Sequence, residues 1–146
     1  MALLSGLPVS ESGPAVGEPQ GNYVNAVLDG DRVQVAGMTP RVNGELTCVG
    51  RVGVDVTVAE AAVAAGIAAT RGLQAAQLVL PTGWCLSDCA AMVVYVNASS
   101  DFTEHSRVAD GASNVLANAF GRDRVGVRAA VGASSLPGGS AVEVSL

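Results

Sequence analysis

The chain has 146 residues, enough for one domain with a real core. Hydrophobic residues make up 49% and charged residues 14%, against a usual charged share of about 25%, which excludes a disordered tail. The net charge is −5, and all 8 basic residues are Arg. The lack of Lys removes Schiff-base chemistry and covalent pyridoxal phosphate, and no basic cluster of the kind that grips a nucleic-acid duplex is present. So few charges also point to covered surface, as in an oligomer. Cys48, Cys85 and Cys89 are an odd number, unsuited to a full disulfide framework. The first residues lack the charged region and apolar stretch of a signal peptide, and no apolar run reaches the roughly 18 residues of a membrane span. A soluble cytoplasmic protein is expected.

Residues 1–21 carry Pro8, Pro14 and Pro19 among Gly and Ser, and read as an irregular arm. A single domain is expected over 22–146. Tyr23 to Leu28 is a strand, Asp29-Gly30-Asp31 a turn, and Arg32 to Ala36 a second strand alternating with period two. Glu45 to Val52 is a possible third strand of that meander. Thr57 and Glu60 form a T-x-x-E capping box ahead of an Ala-rich helix from Val58 to Gln77. Its stripe of Val58, Ala62, Ala65, Ala69, Leu73 and Ala76 predicts close packing on a sheet. Ala90 to Asn97 reads as a strand buried on both faces, and Ser106 to Phe120 as a second helix stopped by Gly121. Val125 to Ser134 and Ala141 to Leu146 are the closing strands. The order predicts an α+β domain with two helices on one face of a mixed sheet.

Two charges interrupt the closing strands, Arg128 and Glu143. A hairpin centred near Ser135 and Leu136 would set them opposite each other on one face. They then form either a structural cross-strand pair or a site in which Arg128 grips a substrate carboxylate and Glu143 handles a water. His105, the sole histidine, reads as a solvated loop residue. Cys85 and Cys89, four apart, could meet on a helical turn, but buried thiols are the simpler reading. Tyr23 is either a core tyrosine or a hydroxyl donor in a pocket. Gly-x-Ser-x-Gly, G-x-G-x-x-G and Walker A patterns are absent.

The segment Arg128-Ala129-Ala130-Val131-Gly132-Ala133-Ser134-Ser135-Leu136-Pro137, followed by Val142-Glu143-Val144, resembles the C-terminal signature of the Rid (YjgF) family of imine and enamine deaminases. Asn22 to Val27, Val33 to Gly37, and Val93 to Asn97 with Asp101-Phe102 are similar to other family segments, so the resemblance spans about 22–146. It implies a chorismate-mutase-like fold and a homotrimer with clefts between subunits. It also implies hydrolysis of small imine or enamine acids, such as 2-aminoacrylate, to 2-oxo acids and ammonia. Arg128 and Glu143 match the carboxylate-binding Arg and the water-positioning Glu. Tyr23 and Gly37 match cleft residues; the family's helix Asn has no exact counterpart, with Ser113 aligning best and Asn114 next to it. Ala36 and Ala130 replace a family Ser and Cys, which marks a divergent branch. An imine is already electrophilic, so the chemistry asks for no cofactor and no metal. The alternatives are a non-catalytic trimer that binds a small carboxylate, or an endoribonuclease, against which the acidic charge weighs.

Overall fold

The computed structural model describes residues 16–146. The rest of the expected N-terminal arm, residues 1–15, lies outside them. The end of the arm is tied to the domain. Val16 is buried, its carbonyl accepts a 2.7 Å bond from Arg71 Nη2, and the Gly17 carbonyl accepts from Asn25 Nδ2.

β1 (Ala26–Asp29) and β2 (Arg32–Val35) form the expected hairpin, turned at Gly30 with φ 63°. The third strand of the meander is much shorter than expected. β3 (Arg41–Val42) and β4 (Glu45–Leu46) pair across the turn at Asn43-Gly44, and Val49 and Val52 make only isolated bridges. α1 (Val58–Leu78) starts on the capping box, with Glu60 N–H donating to Thr57 Oγ1 and Thr57 N–H to the Glu60 carboxylate. Its buried face is almost pure alanine, Ala61, Ala64, Ala65, Ala68, Ala69, Ala75 and Ala76; of the expected stripe, Ala65, Ala69 and Ala76 are buried, while Val58, Ala62 and Leu73 are only partly so. Small side chains let the helix lie close to both the sheet and α2 (His105–Phe120). α2 ends at Gly121, as expected. Its lining of Val108, Ala109, Ala112 and Leu116 is fully buried.

β5 (Ala91–Asn97), β6 (Val127–Ala133) and β7 (Val142–Ser145) form a mixed sheet in the order β6-β5-β7. β5 runs parallel to β6 and antiparallel to β7. The backbone beyond β2 continues the sheet, because Met38 and Val144 exchange both N–H to O bonds and Val35 N–H reaches the Leu146 carbonyl. Both helices cover one face of the sheet, giving the chorismate-mutase-like α+β fold.

Two expectations fail here. The closing strands are not a hairpin, because β5 inserts between them. Arg128 is in register with Met92, and Glu143 with Tyr95. Met92 is buried under the helices while Tyr95 lies on the open side, so Arg128 and Glu143 sit on opposite faces. With two strand spacings between them, β6 and β7 are about 10 Å apart. The cross-strand ion pair therefore does not exist. Nor is β5 covered on both faces within the protomer: Met92, Val94 and Val96 are buried, but Ala91 and Tyr95 are exposed. Among the described residues, no helix is long and apolar enough to cross a membrane.

Candidate functional site

The sequence-predicted site residues fall into two groups at opposite edges of the sheet. Tyr23, Gly37 and Glu143 line one groove of ≈ 570 Å³, together with Val35, Thr39 and Arg41. Gly37 is required by a close approach. A Cβ at this position would lie 1.9 Å from Glu143 Oε1 and 2.8 Å from Cδ, so the carboxylate rests directly on the glycine backbone. Burial alone pushes the Glu143 carboxyl above its ordinary value, with no hydrogen bond lowering it. Gly37→Ala is expected to fold, since the atoms in its way are the tip of a side chain. It should displace the carboxylate and remove activity, which turnover and melting temperature measured together will show.

Glu143 also makes stability depend on pH. Its pKa is raised in the folded state, so its favourable contribution is present below the unfolded value and is lost as pH rises through the folded one. Glu143→Gln is expected to raise the melting temperature at neutral pH and to change it little at acid pH, where the wild-type carboxyl is protonated. A melting series across that range checks the sign.

Arg128 and Ser113 form the second group. Arg128 Nη1 donates to Ser113 Oγ at 2.7 Å and pairs with Asp110 Oδ1 at 2.7 Å. Nη2 donates to Ser106 Oγ at 2.7 Å and to the Ser106 carbonyl at 3.1 Å. Ser106, Asp110 and Ser113 lie at helical spacing on one side of α2, so the helix holds the guanidinium in a fixed orientation. The Arg128 side chain keeps 25% exposure at the sheet edge, so it is neither sealed in nor free in solvent. The structure brings Arg128 to Ser113, and Glu143 to Gly37 and Tyr23. It does not bring the two groups together within one protomer.

Other candidates resolve simply. His105 is not a loop residue: it opens α2, with its ring edge-on to Phe102 at 5.0 Å. Cys85 and Cys89 lie in an irregular segment, not on a helical turn, and are not the expected buried thiols, since Cys85 is exposed and Cys89 only partly buried; all three cysteines are free. Burial pushes the Cys48 and Cys89 thiols up, away from the reactive thiolate. Three contributors escaped the sequence reading: Ser106, Asp110 and Arg41. Asp110 could have been found from its i, i+3 and i+4 relation to Ser113 and Ser106. Arg41, directly after Pro40, carried no pattern that marked it.

No protein-family model matches the chain. It is 38% identical over 135 residues to Protein TCP17 of Trypanosoma cruzi, covering 90% of this chain and 82% of that protein. Among solved structures, it superposes on a "putative endoribonuclease" from Shewanella oneidensis with a TM-score of 0.79 and 26% identity, over 90% of this chain and 87% of that one. It shares the fold of the YjgF gene product of E. coli, with a TM-score of 0.55 and 20% identity over 91% and 89% of the two chains. The extended identity, the β6-β5-β7 sheet under two helices and the Arg-to-Leu-Pro-to-Glu spacing agree, and the chain belongs to the Rid (YjgF/L-PSP) family.

Proposed function

We propose that the protein is a hydrolytic deaminase of small 2-imino and enamine acids, working in clefts between the subunits of a homotrimer. The observation that carries this reading is the Glu143 carboxylate, seated on Gly37 and raised by burial in an open groove. Its complement, Arg128, stands at the far edge of the sheet, where a neighbouring copy can present it to the next groove. The open face of the sheet supports such an assembly. Tyr95, Val127 and Val131 lie there together, with Val127 71% exposed, and an apolar surface of this kind favours a covering partner.

In this arrangement Arg128 of one subunit binds the substrate carboxylate, which takes the place of the exposed Asp110 carboxylate on the guanidinium. Ser106 and Ser113 keep the guanidinium aimed, while Tyr23 and the Gly37 backbone line the opposite wall. An enamine first takes a proton at C3 and becomes the iminium ion, the protonated imine. Glu143 then accepts a proton from water as the water oxygen bonds to C2, and the C=N π pair passes to nitrogen. Glu143 gives that proton to the carbinolamine nitrogen, the C–N bond breaks as ammonia leaves, and the hydroxyl proton passes to the Glu143 carboxylate as the carbonyl forms. The products are the 2-oxo acid and ammonia. A carboxyl raised by burial suits a group that takes a proton and returns it. Fixing acid group and water side by side supplies most of the acceleration, since the imine carbon is already electrophilic.

The test is to generate imino acids in place with an amino-acid oxidase and follow 2-oxo acid release. Wild-type protein is expected to accelerate release above the buffer rate, in proportion to its concentration. Binding of 2-oxo acids without acceleration would replace the enzyme with a carboxylate sensor. Cleavage of RNA that weakens with salt, with no effect on imines, would replace it with a nuclease.

A further inference from the structure

The groove contains a positive charge that hydrolysis of a simple imino acid does not use. Arg41 lines it beside Glu143, Tyr23 and Pro137. Its Nη1 donates to the Gly44 carbonyl at 2.7 Å, closing the β3–β4 turn. A guanidinium carries five N–H donors, and no second acceptor meets Arg41 among the described residues. Its Nε is buried without a partner. No carboxylate of the described residues lies within ion-pair distance of Arg41. The salt bridges among the described residues are Arg107 with Glu104 and Arg128 with Asp110. Glu143, though on the same groove, is not paired with it.

Arg71 deepens the imbalance. Both of its Nη atoms are engaged by backbone, Nη1 with the Thr39 carbonyl and Nη2 with that of Val16, each at 2.7 Å. Burial pushes its pKa down, and the Arg41 charge pushes it further, so the two guanidiniums are close enough to repel. Arg41 lines the groove and its charge reaches Arg71, in a chain of net charge −5, and Glu143 is the acidic residue of the groove's lining. Partly buried charges are ordinarily paired, and here the missing counter-ion is not supplied by the described residues.

We propose that the groove takes 2-imino acids bearing a second, distal carboxylate, bound by the free edge of Arg41 while Arg128 holds the first. The placement of the first carboxylate rests on the deaminase reading; the unpaired charge of Arg41 does not. With Nε buried and one Nη1 hydrogen on Gly44, the end of the guanidinium at Nη2 is the donor left for a carboxylate. A groove of ≈ 570 Å³ has room for an extended diacid of four or five carbons.

The experiment compares 2-oxoglutarate with 2-oxopentanoate, equal in chain length and differing in the distal acid. Binding is measured by titration calorimetry. Turnover is measured on the imines that oxidases form from glutamate and norvaline. Wild-type protein is expected to prefer the diacid by about tenfold or more in both readouts. Arg41→Gln should bring the diacid-to-monoacid ratio close to one, and Arg41→Lys should keep part of it. The Lys variant, which retains charge at the β3–β4 turn, keeps the test valid if the Gln variant does not fold. Equal affinity in wild type, or a preference that survives Arg41→Gln, overturns the proposal. A preference in binding that follows Arg41, with no turnover of either imine, upholds the second anion site and removes the deaminase reading. Turnover of both imines without preference does the reverse.

Discussion

Arg128→Ala is expected to lower kcat/KM for imino-acid hydrolysis by about 10²–10³-fold and to leave the protein folded. Truncating one partner of a desolvated, hydrogen-bonded charge pair costs roughly 2–5 kcal/mol, which corresponds to this range and somewhat beyond it. The loss falls on substrate binding in the transition state, because no other arginine side chain is held at the β6 edge by Ser106, Asp110 and Ser113. The fold should tolerate the change. Asp110 is 58% exposed, so its carboxylate is solvated once unpaired, and such near-surface pairs contribute roughly 0–1 kcal/mol. Arg128→Lys retains charge without the planar fork and is expected to recover only part of the activity. Steady-state kinetics beside melting curves separate these effects. A variant that keeps full activity would remove Arg128 from the site.

The largest stability effect is expected at the crossing of the two helices. A Cβ at Gly111 would lie 1.8 Å from the Ala62 carbonyl oxygen and 2.9 Å from its Cα. These are backbone atoms of α1, so they move only if the helices separate. Gly111→Ala is therefore expected to destabilise by more than about 3 kcal/mol, at the upper end of overpacking penalties. That is a large part of the roughly 5–15 kcal/mol available to a domain. Gly66, on the other side of the same crossing, is a contrast. Its added Cβ would meet the Gly111 carbonyl at 3.3 Å and Val115 Cγ2 at 3.5 Å, which a small shift relieves. The gain in helix propensity, about 1 kcal/mol, offsets that shift, so Gly66→Ala should be close to neutral. Urea denaturation of both variants checks the pair. Equal midpoints would mean that the crossing is not as tight as the structure has it.

Local signals in the chain were readable where one segment contains its own physics. The capping box at Thr57 and Glu60, the alanine face of α1, the stop at Gly121 and the β1–β2 turn at Gly30 all depend on near neighbours in sequence. The pairing of β6 and β7 did not. A loop from Ser134 to Ala141 suits a hairpin, and nothing in the periodicity of either strand tells that β5 lies between them. The order of elements held the missing clue: a strand, a helix and a strand in succession favour a parallel crossover, as β5, α2 and β6 make. The same error put Arg128 and Glu143 on one face. Their types and positions were legible because charges inside apolar strands stand out; their separation by a whole strand was not. Arg41 was missed because its meaning depends on what fails to pair with it, and that is a property of three dimensions.

The separation of Arg128 from Glu143 gives the account its most direct test. If each catalytic centre takes its arginine from one subunit and its carboxylate from another, two inactive proteins should complement each other. Arg128→Ala and Glu143→Gln, each expected to be inactive alone, are to be unfolded together, refolded as mixed assemblies and assayed for imine hydrolysis. Random mixing in equal amounts leaves about one site in four with both wild-type groups, so about a quarter of wild-type activity is expected. Mixed assemblies that stay as inactive as their parents would contradict an intersubunit site.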